Sequence, residues 1–238
     1  MKKRLDILLF ELGLVDSRKK ASDLIKEGKV IVDSVVINKP SKEFVGNEKI
    51  EITEVLKYVS RAGLKLEGAH KEFNFDIKDK VAVDVGSSTG GFTDFLLQNG
   101  AKRVYAIDVG TGQLVEKLRN NNKVISLEKT DIRKAELSEK VDLAVVDVSF
   151  ISLELVLPSI IKLLKEGGEV IVLVKPQFEV GKENIGKGGI VKDEKAKKLV
   201  LEKIKRFSED LGLRLKGEIT SPIKGGDGNE EYFFIYKN

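Results

Sequence analysis

The sequence predicts an α/β protein: a mostly parallel, doubly wound sheet of seven strands, preceded by a small α+β unit. A β-branched run at 81–85 contains an acid and continues through a glycine-rich turn into a helical pattern. A doubly wound domain begins with such a strand–turn–helix. Strand and helix patterns then alternate along the rest of the chain. Residues 1–53 instead combine two short amphipathic helices with short strands.

Composition limits the chemistry that the chain can carry. Its 238 residues suit one large domain, or a medium domain with a small one. It has no cysteine and a single histidine, His70, so disulfides, thiolate catalysis and cysteine–zinc sites are excluded and we expect no metal site. No run approaches the ~20 apolar residues that span a bilayer, and we expect a cytoplasmic protein. The net charge of +4 permits a nucleic-acid partner.

Residues 1–53 are predicted to form a separate small domain. Leucines spaced three and four apart within residues 5–12 share one face of a first helix. Ser17 is the expected cap of a second helix, which runs to about residue 26. Residues 54–60 are predicted to link this domain to the second, residues 61–238. The strands expected in the small domain are 29–32, 35–37 and 49–52.

Both helices of the small domain carry basic side chains. These either solvate exposed faces or contact the phosphates of a nucleic acid, and charge alone does not separate the two alternatives. The element order and the segments 17–21 and 28–32 resemble the alpha-L RNA-binding motif of ribosomal and pseudouridine-synthase proteins. At 33–34 the chain has Asp-Ser where that family commonly has Asn-Gly. The resemblance implies RNA contacts for Arg4, Arg18, Lys19, Lys20 and Lys26.

The second domain is predicted to open with a helix that Ser60 caps and then to alternate strands with helices. Apolar β-branched runs indicate the strands, and amphipathic stretches indicate the helices. The predicted strands are 80–85, 102–108, 123–127, 141–147, 169–175, 213–220 and 231–236. The predicted helices are 60–73, 91–99, 113–120, 153–164 and 193–211.

The turn after the first strand of this domain has the spacing D-x-G-x-x-x-G-G. It differs from the dinucleotide-binding pattern G-x-G-x-x-G. Methyltransferases that use S-adenosylmethionine (SAM) carry this variant, and glycine lets the backbone approach a ligand closely. A tight turn without a ligand is the alternative. The cofactor contacts predicted along this turn are Asp84, Gly86, Ser87, Ser88, Gly90, Gly91 and Phe92.

Acids also follow the second and third strands, where an open parallel sheet binds its ligands. Asp108 ends the second strand, and one carboxylate can accept both hydroxyls of a ribose diol. Asp131 follows the third strand and can accept from an adenine amino group. Helix capping is the alternative for both acids. We expect Asp108, the adjacent Val109 and Asp131 to complete the cofactor site.

The fourth and fifth strands end in Asp147 and Lys175. A lysine that closes an apolar strand is costly to bury unless it is paired, and Asp147 is the candidate partner on the neighbouring strand. The pair is either a structural ion pair or part of an active site. Asp147 is also expected to contact the cofactor.

Several motifs of the second domain together resemble the motifs of known protein families. They lie at 58–66, 84–92, 107–110, 147–150, 175–179, 186–191, 221–223 and 228–232. With a Lys–Asp–Lys–Glu tetrad on a SAM-binding fold they resemble the FtsJ-type RNA ribose 2′-O-methyltransferases, and more closely the TlyA/hemolysin A family. The likeness covers nearly the whole chain. One departure is Arg-Ala-Gly at 61–63, where the family commonly has Arg-Gly-Gly.

The resemblance implies a Rossmann-like methyltransferase domain with a catalytic tetrad of Lys65, Asp147, Lys175 and Glu231. The family pattern Gly-Asn-x-Glu-Tyr selects Glu231 over Glu230. A ribose 2′-hydroxyl is a poor nucleophile and needs a base. Lys175 is the candidate base, with Lys65 as a cationic neighbour that favours the neutral amine. The two acids are expected to orient the lysines and the hydroxyl.

The glycine-rich stretch 179–190 is interpreted as a mobile loop beside the active site. Lys182 and Lys187 within it, and Arg61 before the first helix of the domain, are further expected RNA contacts. A surface loop without a role is the alternative.

We therefore predict SAM-dependent 2′-O-methylation of RNA, with ribosomal RNA (rRNA) as the expected substrate and no membrane partner. Two alternatives stay open. One is a membrane-active protein, as the hemolysin label of the family suggests, which lysis of liposomes would support. The other is an RNA-binding protein whose methyltransferase fold is catalytically silent, which a failure to bind SAM would support. The sequence makes no prediction about the nucleotide that is modified or the oligomeric state.

Overall fold

The structure is a computed structural model that describes residues 2–53, 57–181, 184–186, 188–226 and 228–238. The chain divides into two compact units, residues 1–61 and 62–238. The domain limits and the 54–60 linker stay predictions, and residues 54–56 lie outside the described residues. None of the described helices is long and apolar enough to cross a membrane.

The first unit combines two helices with two small antiparallel sheets. The β2 strand is the centre of a three-stranded sheet between β3 and β5, and β1 pairs with β4. The two-residue pairing of β1 with β4 was not predicted, because strands so short show no alternation. The elements are β1 (Lys3–Arg4), α1 (Leu5–Glu11), α2 (Arg18–Lys26), β2 (Val30–Val32), β3 (Val35–Val36), β4 (Glu43–Phe44) and β5 (Ile50–Ile52).

The apolar core of the first unit does not include the basic side chains of α2. Leu5 and Leu9 of α1 belong to the same apolar cluster as Leu24 and Ile25 of α2. The Ser17 hydroxyl accepts a hydrogen bond from the Lys20 N–H at 3.2 Å and caps α2 as predicted. The side chains of α2 that stay exposed are Arg18, Lys19 and Lys26.

The turn between β2 and β3 explains how this chain departs from the alpha-L pattern. Asp33 and Ser34 have φ values of 46° and 66°. Positive φ at both central residues is the type I′ geometry, which Asn-Gly favours. The turn is therefore kept, although a less favourable dipeptide forms it.

The second unit is built on the predicted seven-stranded, mostly parallel sheet. Its strand order is β11-β12-β10-β9-β6-β7-β8, and β12 runs antiparallel between β10 and β11. The fold class is thus confirmed. The strands are β6 (Val81–Val85), β7 (Arg103–Ile107), β8 (Val124–Leu127), β9 (Val141–Val146), β10 (Leu164–Val174), β11 (Arg214–Thr220) and β12 (Tyr232–Lys237).

The helices of the chain from residue 61 onward follow the prediction with three differences. The four-residue α7 and a short 3₁₀ helix were not predicted, and the helix predicted at 113–120 is reduced to α5. The Glu128 carboxylate accepts the N–H groups of Gly112 and Gln113, at 2.8 and 3.1 Å, and keeps that stretch in a loop. The helices are α3 (Arg61–Phe73), α4 (Gly91–Gln98), α5 (Glu116–Arg119), α6 (Leu153–Leu163), α7 (Pro176–Glu179) and α8 (Glu194–Asp210), with a 3₁₀ helix at Ile132–Lys134.

The strand order reverses between β6 and β9. The chain passes from β6 to β7 and β8 on one side, and β9 then lies on the other side of β6. Every residue of β6 is buried, as in a central parallel strand with both faces covered. In such sheets ligands bind outside the carboxyl ends of the strands at this switch point.

Candidate functional site

The glycine turn brings β6 and β9 into close contact. Gly86 has a φ of 83°, which strains residues that carry a Cβ. An added Cβ would also overlap the carbonyl oxygen of Asp147. Gly90 precedes α4 with a φ of 96°, and a Cβ there would overlap side-chain atoms of Leu118. A side chain at Gly86 therefore disturbs the Asp147 backbone before any ligand is considered.

Asp84 has a structural partner directly behind this turn. Its side chain is fully buried, and its Oδ2 accepts hydrogen bonds from the Thr93 N–H at 2.9 Å and the Thr93 hydroxyl at 2.6 Å. Burial raises the pKa of Asp84 to about 7. The negative charges of Asp147 and Asp108 also raise this pKa, whereas the hydrogen bonds from Thr93 lower it. Asp84 thus joins β6 to the first turn of α4.

We expect Asp84→Asn to change how stability depends on pH. A carboxyl whose folded-state pKa is raised contributes stability that is fully present below the unfolded value of 3.8 and is lost as the pH rises through about 7. Relative to the wild type, the variant should therefore gain roughly 2–3 kcal/mol in unfolding free energy between pH 5 and pH 8. Urea unfolding at several pH values measures this difference. The exposed Asp76→Asn is the control, and parallel profiles for wild type and D84N would contradict the prediction.

A cavity of about 580 Å³ lies beyond the carboxyl ends of β6, β7 and β9. Its volume is within the range of sites that hold cofactor-sized ligands. The predicted cofactor residues in its wall are Gly86, Ser88, Asp108, Val109, Asp131 and Asp147. Those that do not line it are Asp84, Ser87, Gly90, Gly91 and Phe92. Lining residues that the sequence analysis missed include Gln113, Thr130, Ile132, Arg133, Val148 and Phe150.

Asp108 connects the two loops at the cavity. Its Oδ2 accepts the Ser88 N–H at 2.8 Å, and its Oδ1 accepts the Gly110 N–H at 2.7 Å. Each carboxylate oxygen has a second lone pair, so Asp108 retains acceptor capacity for two further hydroxyl donors.

Asp131 is both a cap and a lining residue. It accepts the Arg133 N–H at 2.9 Å and caps the 3₁₀ helix. The side-chain hydrogen bond from Arg133 lowers the pKa of Asp131 to about 2. The capping that was weighed as an alternative thus coexists with a place in the cavity wall.

The four predicted tetrad residues form two ion pairs. Lys175 Nζ lies 2.5 Å from Asp147 Oδ1 and donates to the Ser149 hydroxyl at 2.9 Å. Lys65 Nζ, from α3, lies 2.5 Å from Glu231 Oε2. The side chain of Glu231 is only 3% exposed. Neighbouring Glu230 instead pairs with Lys197 of α8 at 3.0 Å.

The sheet register explains why these pairs lie at one edge. Val174 of β10 is opposite Tyr232 of β12, so Lys175 and Glu231 are the next residues beyond that pair. Asp147 likewise follows the last residue of β9, which adjoins β10. Three adjacent strands therefore deliver three of the four charged residues to the same edge.

Phe150 is a site residue that the sequence analysis missed. Its side chain is 90% exposed although it lines the cavity, and its φ of 63° is unusual for a bulky residue. The Phe178 ring lies 4.8 Å from the Phe150 ring, and Lys175 Nζ lies 5.9 Å from the Phe178 ring centre. Exposed aromatic rings of this kind stack on unpaired bases. The signal in the sequence was an aromatic residue three positions after a strand-end acid.

The predicted RNA contacts differ in their pairing. Arg4 donates twice to Asp6 at 2.9 Å, and Arg18 lies 3.6 Å from the same carboxylate. Lys20 pairs with Asp16 at 3.1 Å. The remaining residues are Lys19 and Lys26, which are exposed, Arg61, which lies 3.7 Å from Glu27, and Lys182 and Lys187, which lie outside the described residues.

The reversed strand order, the glycine turn and the cavity at the switch point define the class of protein: a Rossmann-like methyltransferase domain that follows a small unit of two helices and short strands. The model of the FtsJ-like methyltransferase family matches residues 58–238, and the S4 domain model matches residues 3–50. The chain belongs to the FtsJ-like methyltransferase family. Membership of this family implies the use of SAM.

Relatives of known name match almost the whole chain. "Putative rRNA methyltransferase YqxC" of Bacillus subtilis (strain 168) is 47% identical over 97% of this chain and 84% of its own length. "16S/23S rRNA (cytidine-2'-O)-methyltransferase TlyA" of Mycobacterium tuberculosis is 39% identical over 97% and 88%. The solved structure "Putative hemolysin from Streptococcus thermophilus" is 44% identical with a TM-score of 0.79, covering 100% of this chain and 88% of that one. The predicted likeness to the TlyA/hemolysin A family is confirmed.

Proposed function

We propose that this protein transfers a methyl group from SAM to a ribose 2′-hydroxyl of RNA, and that rRNA is the substrate. The position of Asp147 is the observation that carries the proposal. It lines the cavity and is also paired with Lys175, so it joins the cofactor site to the candidate base. The printed name of the M. tuberculosis relative supports the reaction class. The S4 match supports an RNA partner.

The cavity residues fit SAM in size and chemistry. When bound, SAM supplies an electrophilic methyl group and a positive charge. Asp108 is assigned to the ribose diol and Asp131 to the adenine amino group, and both line the cavity. Gly86 lines the cavity, and a side chain there would overlap the Asp147 carbonyl oxygen.

Lys175 is assigned as the base. Its Nζ is paired with Asp147, an acid in the wall of the cavity in which SAM would bind. The neutral amine of Lys175 would accept the proton of the 2′-hydroxyl at Nζ. The methyl group would pass from the sulfonium sulfur of SAM to the hydroxyl oxygen, and the thioether S-adenosylhomocysteine would leave. Asp147 and Glu231 hold the two lysines, and placing the reactants in line can contribute roughly 7–11 kcal/mol in well-oriented cases.

Phe150 is assigned to the acceptor nucleotide. Its exposed ring lies beside Phe178, whose ring centre is 5.9 Å from Lys175 Nζ, and it offers a surface on which an unpaired base stacks. A base stacked there would bring its own ribose towards Lys175.

The first unit is assigned to RNA capture, and we expect Lys19→Ala combined with Lys26→Ala to weaken RNA binding. Each lost phosphate contact should reduce the salt slope of the binding constant by roughly 1 and leave SAM affinity unchanged. Titrations of rRNA at several salt concentrations measure the slope. Lys102→Ala with Lys123→Ala removes the same charge from exposed positions at the amino ends of β7 and β8, and serves as the control. An unchanged slope in the first variant would overturn this assignment.

Mapping ribose methylation in rRNA tests the proposed function directly. A strain that lacks the gene should lose at least one 2′-O-methyl group, which the purified protein and SAM restore in vitro. Intact methylation in that strain would overturn the rRNA assignment. A cytoplasmic location follows from this proposal, since rRNA is the substrate. For the membrane-active alternative we expect no lysis of liposomes by the purified protein.

A further inference from the structure

The buried side chain of Asn229 binds the backbone of a glycine segment, defined as Gly186 and 188–191. Asn229 is 3% exposed. Its Oδ1 accepts the Val191 N–H at 3.0 Å, and its Nδ2 donates to the Gly189 carbonyl at 2.9 Å. The segment is itself closed by the Gly186 N–H, which donates to the Ile190 carbonyl at 3.0 Å. One side chain therefore satisfies a donor and an acceptor of this segment.

The same residue belongs to the turn that leads into Glu231. The Asn229 carbonyl accepts the Gly225 N–H at 2.9 Å, and the Glu231 carbonyl accepts the Ser221 N–H at 2.8 Å. Backbone hydrogen bonds thus join residue 221 to 231 and residue 225 to 229. The Asn229 side chain attaches these residues to the glycine segment.

Burial alternates along the last three residues before β12. Asn229 and Glu231 are each 3% exposed, whereas the Glu230 side chain is 38% exposed and pairs with Lys197. In an extended chain, residues two apart lie on one side. The side chains of Asn229 and Glu231 therefore lie on the same, buried side of the chain. A shift of the backbone at Asn229 would move Glu231 as well.

We infer that Asn229 is a positioning residue of the methyltransferase: by holding the glycine segment against residues 228–231, it fixes the backbone from which Glu231 reaches Lys65. The carboxylate of Glu231 is 2.5 Å from Lys65 Nζ, a distance that a small backbone shift would lengthen. Glycines at 186, 188 and 189 make the segment pliable, so its position depends on an outside attachment. The inference rests on the proposed function, because Glu231 matters only if the tetrad catalyses transfer.

The test is single-turnover transfer of labelled methyl from SAM to 30S and 50S subunits of a gene-deletion strain. Asn229→Ala should lower the rate by roughly tenfold or more at saturating SAM and RNA, while SAM affinity stays within about twofold. Asn229→Asp keeps the shape and the acceptor for Val191 but loses the donor to Gly189, and it should lower the rate in the same direction. If N229A does not fold, the transfer rate of N229D tests the inference by itself. Asn99→Ala, which removes a comparable bond to the Phe95 carbonyl, is the matched control.

A double-mutant comparison separates positioning from general loosening. If Asn229 acts through Glu231, N229A combined with Glu231→Gln should be no slower than E231Q alone. Fully additive losses, or wild-type rates in folded N229A and N229D, would overturn the inference while an active wild type leaves the proposed function standing. A wild type that transfers no methyl group to either subunit would overturn both.

Discussion

Lys175→Ala is expected to lower the single-turnover rate of methyl transfer by roughly 10²–10⁴-fold, the usual contribution of a positioned proton acceptor. SAM should bind nearly as well as in the wild type, because Lys175 is not among the residues that line the cavity. Transfer of labelled methyl to ribosomal subunits measures the rate, and calorimetry measures SAM affinity. The melting temperature must be followed as well, since Asp147 loses its ion-pair partner.

Lys175→Arg decides between a base and a structural ion pair. Arginine can keep the pair with Asp147 but stays charged at all working pH values. If Lys175 is the base, K175R is expected to be about as slow as K175A. Recovery of the transfer rate in K175R would show that Lys175 is only a structural partner of Asp147. Lys165→Ala is the control: Lys165 Nζ is 2.8 Å from Asp142 Oδ1 on the same two strands, near their opposite ends.

Asp108→Ala is expected to weaken SAM binding by roughly 10²-fold or more. The carboxylate is assigned two hydroxyls of the cofactor ribose, and hydrogen bonds to a charged group contribute about 1.5–3 kcal/mol each. It also accepts from the Ser88 and Gly110 N–H groups, which the variant leaves without that partner. Calorimetry with SAM measures the loss.

Three comparisons sharpen this test. Methylthioadenosine retains the ribose but not the amino-acid part of SAM, so its affinity should fall by a similar factor. Asp108→Asn keeps one acceptor without the charge and should lose about tenfold. Asp142→Ala removes a carboxylate that also accepts a backbone N–H, from Val81 at 2.9 Å, and should leave SAM affinity intact. Wild-type affinity in both Asp108 variants would remove Asp108 from the cofactor site.

The elements were largely predictable because their signals are local. All seven strands of the large sheet were predicted, since β-branched runs bounded by polar turns are visible within a few residues. The exceptions depend on distant atoms. Helix α5 begins only at Glu116, because the Glu128 carboxylate holds the loop before it. The β1–β4 pair joins residues 3–4 to 43–44, which no local pattern indicates.

The candidate site was predictable in its residue types more than in its contacts. The strand-end acids and Lys175 could be placed at one edge from strand order alone, because parallel strands end together. The burial of Asp84 behind the glycine turn could not, because it depends on where α4 packs. The exposure of Phe150 depends in the same way on the loops around the cavity, and the attachment of Asn229 to the glycine segment spans about forty positions of the chain.

By itself the sequence determined the class of fold, the glycine turn for a small ligand and the family whose motifs the chain carries. Each is encoded by spacing within a short stretch, where backbone sterics and side-chain periodicity act. Only the tertiary structure decided which charges meet. Lys65 lies on α3 and Glu231 directly precedes β12, and the two residues are 166 positions apart, so no local rule brings them together. Folding buries both side chains, and a buried charge is costly without a partner of opposite charge. Each of these two residues supplies that partner for the other.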